Sequence, residues 1–131
     1  MKKRGLAAAL AMLTMATTGT AFAATSFWQP VYYTNVGYNA STVKKVANAD
    51  HAYIRVTESN HNELSTNYLV TRADNGVQMT QGAFVISNGD RSRKSNPYKS
   101  GYQYSGNCVL RINAAQQEAN YTVWGEWNPN G

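Results

Sequence analysis

The 131-residue sequence predicts an all-β protein: a small antiparallel β-sandwich of Greek-key-like plan, preceded by a cleaved N-terminal signal helix. Three observations carry this prediction. Residues 1–23 have the three-part order of a secretory signal. Four later segments alternate apolar and polar side chains at period two. The stretches between them are rich in Asn, Gly and Ser, which favour turns.

In the first segment, Lys2, Lys3 and Arg4 make a positive head and Leu6 to Met15 a short, mostly apolar run. Ala21-Phe22-Ala23 supplies the small-x-small pattern read by a signal peptidase, so cleavage is expected between Ala23 and Ala24. A membrane-spanning helix needs roughly 20 apolar residues, so this run is too short to be kept as an anchor. Three of the twelve basic residues lie in the head, leaving nine against seven acidic ones. A net charge this small argues against nucleic acid as a partner. Residues 24–131 suffice for a single domain with one modest core. Cys108 is the only cysteine, so no disulfide can form within the chain.

Phe27–Tyr33 is expected to open the domain as a strand, with Pro30 confining it to an edge or a bulge. Ser41–Ala49 is a candidate for a short helical turn. In His51–Thr57, Ala52, Ile54 and Val56 share one face, and His51, Tyr53, Arg55 and Thr57 the other. In Asn67–Arg72, Tyr68 and Val70 alternate with Asn67, Leu69 and Thr71. Asn75-Gly76 predicts a type I′ hairpin turn into a short Val77–Thr80 strand. Gly82–Ser87 reads as a more buried strand. Cys108, Leu110 and Ile112 alternate with Val109 and Arg111 in a strand over Asn107–Asn113. Ala114–Ala119 is a second short helical candidate. In the last strand, Tyr121, Val123, Gly125 and Trp127 oppose Thr122, Trp124 and Glu126.

Few of the reactive residue types form a recognisable site. His51 and His61 lie near acids, but their spacing matches no metal-ligand motif, and Asn60-His61-Asn62 reads as a turn. Cys108 sits on the apolar face of its strand and reads as core rather than nucleophile. No Gly-x-Ser-x-Gly elbow, phosphate loop or cofactor motif is present, so neither catalysis nor a cofactor is expected. The concentrated charge feature is Asp90–Lys99. Arg91, Arg93, Lys94 and Lys99 could meet an anionic envelope polymer or an anionic membrane surface, with Tyr98 and Tyr102 adding aromatic contacts. The alternative is a solvated hairpin loop.

The segments Lys99-Ser100-Gly101-Tyr102, Cys108–Asn113 and Tyr121–Trp127 resemble the close of a family of small Sec-exported proteins. These come from Gram-positive bacteria and are catalogued only as a domain of unknown function; Val123, Gly125 and Trp127 stand at the marked positions of its final V-x-G-x-W. Acidic residues often follow that Trp in the family, whereas this chain ends Asn128-Pro129-Asn130-Gly131. In signal, size and aromatic C-terminus the chain is also similar to the lactococcin-type secreted bacteriocins. These resemblances imply a secreted, non-enzymatic interaction or antagonism protein acting at a cell envelope. A cell-wall or anionic-polymer binding module and a small secreted hydrolase are the alternatives.

Overall fold

A computed structural model describes residues 23–33, 37–101, 104–116 and 118–131. The signal segment up to residue 22 and Tyr102 lie outside the described residues. Among the described residues eight strands occur: β1 (Thr25–Val31), β2 (Tyr38–Lys45), β3 (His51–Ser59), β4 (Ser65–Arg72), β5 (Phe84–Ser87), β6 (Lys94–Pro97), β7 (Gly106–Ala114) and β8 (Tyr121–Asn128). They form two antiparallel four-stranded sheets, here called A (order β1-β8-β3-β6) and B (β2-β7-β4-β5), packed face to face. Every connection except β4–β5 carries the chain from one sheet to the other.

The alternation of the sequence decides which side of each strand is buried. Phe27 and Val31 of β1 point inward, as do Ala52, Ile54 and Val56 of β3. Tyr68 and Val70, Cys108, Leu110 and Ile112, and Val123 and Trp127 complete most of the core. The V-x-G-x-W segment has a physical account. Val123 and Trp127 are fully buried, and the Trp127 indole donates across the sandwich to Ser41 Oγ at 2.8 Å. Gly125 faces Phe27 in register, and a Cβ there would come within 2.5 Å of both the Phe27 ring and the Arg55 carbonyl. Only a residue without a side chain lets Phe27 lie flat on the sheet at that point.

Several expectations are corrected. Ser41–Ala49 is not helical; its first half belongs to β2, an edge strand whose register shifts between Asn39 and Ser41. The Ala114–Ala119 segment ends β7 and forms no helix among the described residues. The Asn75-Gly76 hairpin forms, but not as a type I′ turn, because only Gly76 has positive φ, at 71°. The loop instead closes over four residues, with Gly76 N–H donating to Arg72 O and Arg72 N–H to Val77 O. Val77–Thr80 makes two isolated bridges, to Thr71 and to Tyr98, rather than a strand. Phe84–Ser87 is an edge strand rather than a more buried one, and Val85 is 65% exposed on it. The basic segment is not a hairpin loop, since Lys94–Pro97 pairs with β3 as the outer strand of sheet A.

The two open ends of the sandwich are closed differently. At one end the Thr66 hydroxyl lies 2.6 Å from Asn88 Oδ1 and 2.7 Å from the Tyr121 hydroxyl. Asn88 Nδ2 donates to His61 O, which draws the β3–β4 loop onto the cluster. The Tyr68 hydroxyl lies beside this network and completes no hydrogen bond of its own among the described residues. At the other end Lys45 is wholly buried. Its ammonium donates to the carbonyls of Val46 and Tyr104, at 3.0 and 3.2 Å, and sits 4.5 Å from the centre of the Tyr98 ring. Burial lowers its pKa. The tail Asn128–Gly131 closes over this end: Asn130 accepts from Val46 N–H and donates to Lys44 O, and Tyr98 donates to Pro129 O.

Candidate functional site

The basic segment is organised by Asp90. Its carboxylate accepts from the Ser92 N–H at 2.9 Å and the Ser92 hydroxyl at 2.6 Å, and forms an ion pair with Lys94 at 2.9 Å. The Ser92 hydroxyl, then Lys94, hold the Asp90 carboxyl well below the usual carboxylate range. This turn delivers Lys94 to β6 opposite Ile54, and Ser95 opposite Tyr53.

Each arginine nearby is held in place. Arg91 donates to Asn88 O and to Asn62 Oδ1, while its own carbonyl accepts from Arg55 Nε at 3.1 Å. Arg93 lies flat over the Tyr53 ring, 3.6 Å from its centre. Tyr53 projects from the side of β3 that carries Arg55, opposite Ile54, so three guanidinium groups gather along the β3–β6 edge of sheet A. Arg55 was visible in the sequence as an outward position of its strand, but its approach to Arg91 depends on β6 lying beside β3.

The expected site residues do not all join this cluster. Arg91 and Arg93 do, whereas Lys94 pairs in register with Ile54, on the other side of the strand from Tyr53 and Arg55, and is tied to Asp90. Lys99 is exposed beyond the end of β6, its N–H held by Met79 O. Tyr98 is corrected from a surface residue to a core one. Only 7% exposed, it spends its hydroxyl on Pro129 and its ring face on Lys45. Burial moves its pKa upward. Ala23 and Ala24 lie immediately before β1, with Ala23 exposed and Ala24 half-buried.

Beside the arginines, the outer face of sheet A carries residues that the sequence reading left out. Trp28 of β1 and Trp124 of β8 are register partners, and Trp28 is 60% exposed. Glu58 pairs with Trp124 from β3 through a register shift after Val56, and Glu126 pairs with Arg55 one step along. Alternation sets Trp124 and Glu126 opposite Trp127 and Trp28 next to the inward Phe27, but it would place Glu58 with Ile54 and Val56, and only the register shift after Val56 turns it outward.

The reactive residue types stay apart. His51 bonds to Asp50 and His61 to Glu63, each at 2.6 Å, from opposite ends of β3. The nine residues of β3 put roughly 25 Å between its two ends. Among the described residues no three His, Cys, Asp or Glu side chains come together as a metal site would require. Cys108 is buried with its sulfur 3.5 Å from Met79 Sδ, and burial pushes its thiol up to about 11. In comparisons with family models, curated proteins and solved structures, nothing matches the chain.

Proposed function

We propose that this chain is an exported bacterial protein without a catalytic role that acts at a cell envelope as a bacteriocin-like interaction or antagonism protein. The observation that carries the reading is the row of guanidinium groups from Arg55, Arg91 and Arg93, each held by a carbonyl or a ring. Side chains fixed in this way lose little further freedom when an anionic group docks, which favours binding. Lys94 shares its charge with Asp90, and Lys99 extends the basic edge.

The test uses isolated bacterial cell walls and anionic liposomes. Exposed charges are screened over about 8 Å at physiological ionic strength, so retention should fall steeply with added salt. Changing Arg93 and Lys94 together to Gln should weaken retention as well. Salt-insensitive retention that tolerates the double change excludes this reading of the basic edge. Killing of related cells separates an antagonist from a cell-wall binding module, which would be retained without killing. Export is checked on culture supernatant, where N-terminal sequencing should begin at Ala24.

A further inference from the structure

The acids of this protein divide into two groups. Asp50, Glu63, Asp74 and Asp90 are each tied to a basic neighbour. Glu58, Glu118 and Glu126 have no such partner among the described residues; Glu118 lies in the β7–β8 connection, while Glu58 and Glu126 flank Trp124 from two directions. Trp28 stands directly across from Trp124 on β1, with its ring largely in solvent. Arg55, opposite Glu126, keeps its terminal nitrogens unengaged among the described residues while Nε holds the Arg91 carbonyl. The result is a strip of the sheet face that carries two register-paired tryptophans, Trp28 exposed and Trp124 half-buried, with two carboxylates and one guanidinium beside them.

A strip of this composition is selective about its partner. An anionic lipid surface would bring phosphates against Glu58 and Glu126, and like charges repel. An extended polypeptide would pair along the free edge of β1, where Pro30 withholds one donor, rather than on the face of the sheet from which Trp28 and Trp124 project. A sugar chain satisfies every group. The axial C–H faces of a pyranose are apolar and flat enough to lie on an indole, and its equatorial hydroxyls both donate and accept. Carboxylates accept hydrogen bonds from hydroxyl groups, and a guanidinium donates to ring or hydroxyl oxygens. A β-1,4-linked chain is the sugar polymer that is itself a flat ribbon, and so can meet two neighbouring rings at once.

We infer that the outer face of sheet A is a binding platform for a β-1,4-linked pyranose chain, with Trp28 and Trp124 as the stacking surface and Glu58, Glu126 and Arg55 as the hydroxyl-reading groups. The inference deepens the envelope reading by assigning it a second, uncharged ligand beside the anionic one, and it rests on that reading only for the biological setting. The two contacts lie on one sheet, the arginine edge toward β6 and the indole strip toward β1.

The experiment titrates the purified chain with chitohexaose and cellohexaose while following indole fluorescence. Trp127 is sealed in the core and should not respond, so the signal reports Trp28 and Trp124. Saturable binding to at least one hexasaccharide is expected, undiminished in high salt. Trp28→Ala and Trp124→Ala should each weaken it by about tenfold or more, the loss of one stacked ring. Glu126→Gln should weaken it less, and Arg93→Gln with Lys94→Gln should leave it unchanged while lowering retention on anionic walls. That last contrast separates failure of the sugar platform from failure of the basic edge. Absence of binding to both hexasaccharides overturns the inference, as does binding that survives both Trp changes. Trp28-dependent binding to anionic vesicles in place of the sugars would assign the face to lipid and overturn it equally. A thermal melt on each variant confirms that the fold is intact.

Discussion

The two ends of the sandwich bury polar groups by opposite means. Around Thr66 the groups are neutral, and they bond chiefly to one another and to nearby carbonyls. Around Lys45 a single charge is buried, accepted by the carbonyls of Val46 and Tyr104 and by the face of the Tyr98 ring, and Tyr98 is in turn held by the tail beyond β8 through Pro129 O. A neutral network costs little to desolvate once satisfied. A buried cation costs several kcal/mol unless its surroundings repay it, so it contributes specificity more readily than stability. The Thr66 end should therefore act as a structural joint, and the Lys45 end as a latch that only the native arrangement of the chain can close.

The largest effect should come from the residue that spans both sheets between these ends. Trp127→Ala is expected to cost about 3–5 kcal/mol, a large share of the roughly 5–15 kcal/mol that holds a small domain. The melting temperature should fall sharply while unfolding remains one transition. Two separate transitions would show that the ends are not one cooperative unit.

Thr66→Val comes next. It keeps the shape but leaves Asn88 Oδ1 and the Tyr121 hydroxyl each short of a buried partner. A cost of about 1–3 kcal/mol is expected, read from urea unfolding. A neutral result would mean that water or Ser65 O, already 3.2 Å from the Tyr121 hydroxyl, takes over. At the opposite end Asn130→Ala removes two hydrogen bonds to β2 and its extension. About 1–2 kcal/mol should be lost. The chain lacks acidic residues after its last Trp, and Asn130 gives its tail a structural task instead.

How much of this was legible follows from where each strand sits. The inward sides of β3, β4, β7 and β8 could be read, because a strand with one face on the core must alternate. Tyr68 and Val70, or Leu110 and Ile112, can point only one way. The edge strands β2 and β6 were not legible. Tyr-Asn-Ala-Ser-Thr-Val-Lys-Lys and Lys-Ser-Asn-Pro carry little apolar pattern, since an edge buries little and is held by main-chain bonds to one neighbour. Lys45 could not be foreseen as buried, because lysine is seldom fully buried and its partners come from other segments. Tyr98 misled for the same reason: beside Lys99 and after Arg93 and Lys94 it resembles a surface aromatic, and only its reach to Pro129 shows otherwise. The indole strip was half legible. Trp124 stood opposite Trp127 in its alternating strand, but Trp28 had no assigned face, and that β1 and β8 are neighbours is a fact of topology.

Cys108 belongs to the Lys45 end and should behave as part of its seal. A thiol-specific reagent should label it slowly in the native protein and quickly after unfolding, since a thiol with its pKa raised to about 11 is seldom ionised. If Asn130→Ala loosens the latch, it should speed native labelling while Thr66→Val leaves it nearly unchanged. Equal acceleration by both changes would dissolve the distinction between the ends.

The smallest effect on stability at neutral pH is expected from Lys45→Met, and its sign with pH is the sharper test. Methionine keeps most of the volume and removes the charge. It also leaves the Val46 and Tyr104 carbonyls without the ammonium, and these changes oppose each other. A net change within about 1 kcal/mol should result. In the native chain burial lowers the Lys45 pKa below its unfolded value of 10.5. Between those two values the unfolded chain holds a proton that the folded chain has lost, so Lys45 contributes a stability that rises with pH. Below the folded pKa the full penalty of the buried charge is present, and above 10.5 it is gone. Cys108 and Tyr98 push the other way in alkali, because burial raises their pKa and the unfolded chain loses its protons first. The difference between wild type and Lys45→Met removes most of that common background. Wild type should gain stability relative to the variant as pH climbs toward 10.5. A flat difference across this range would mean that the Val46 and Tyr104 carbonyls and the Tyr98 ring repay the desolvation of the charge in full.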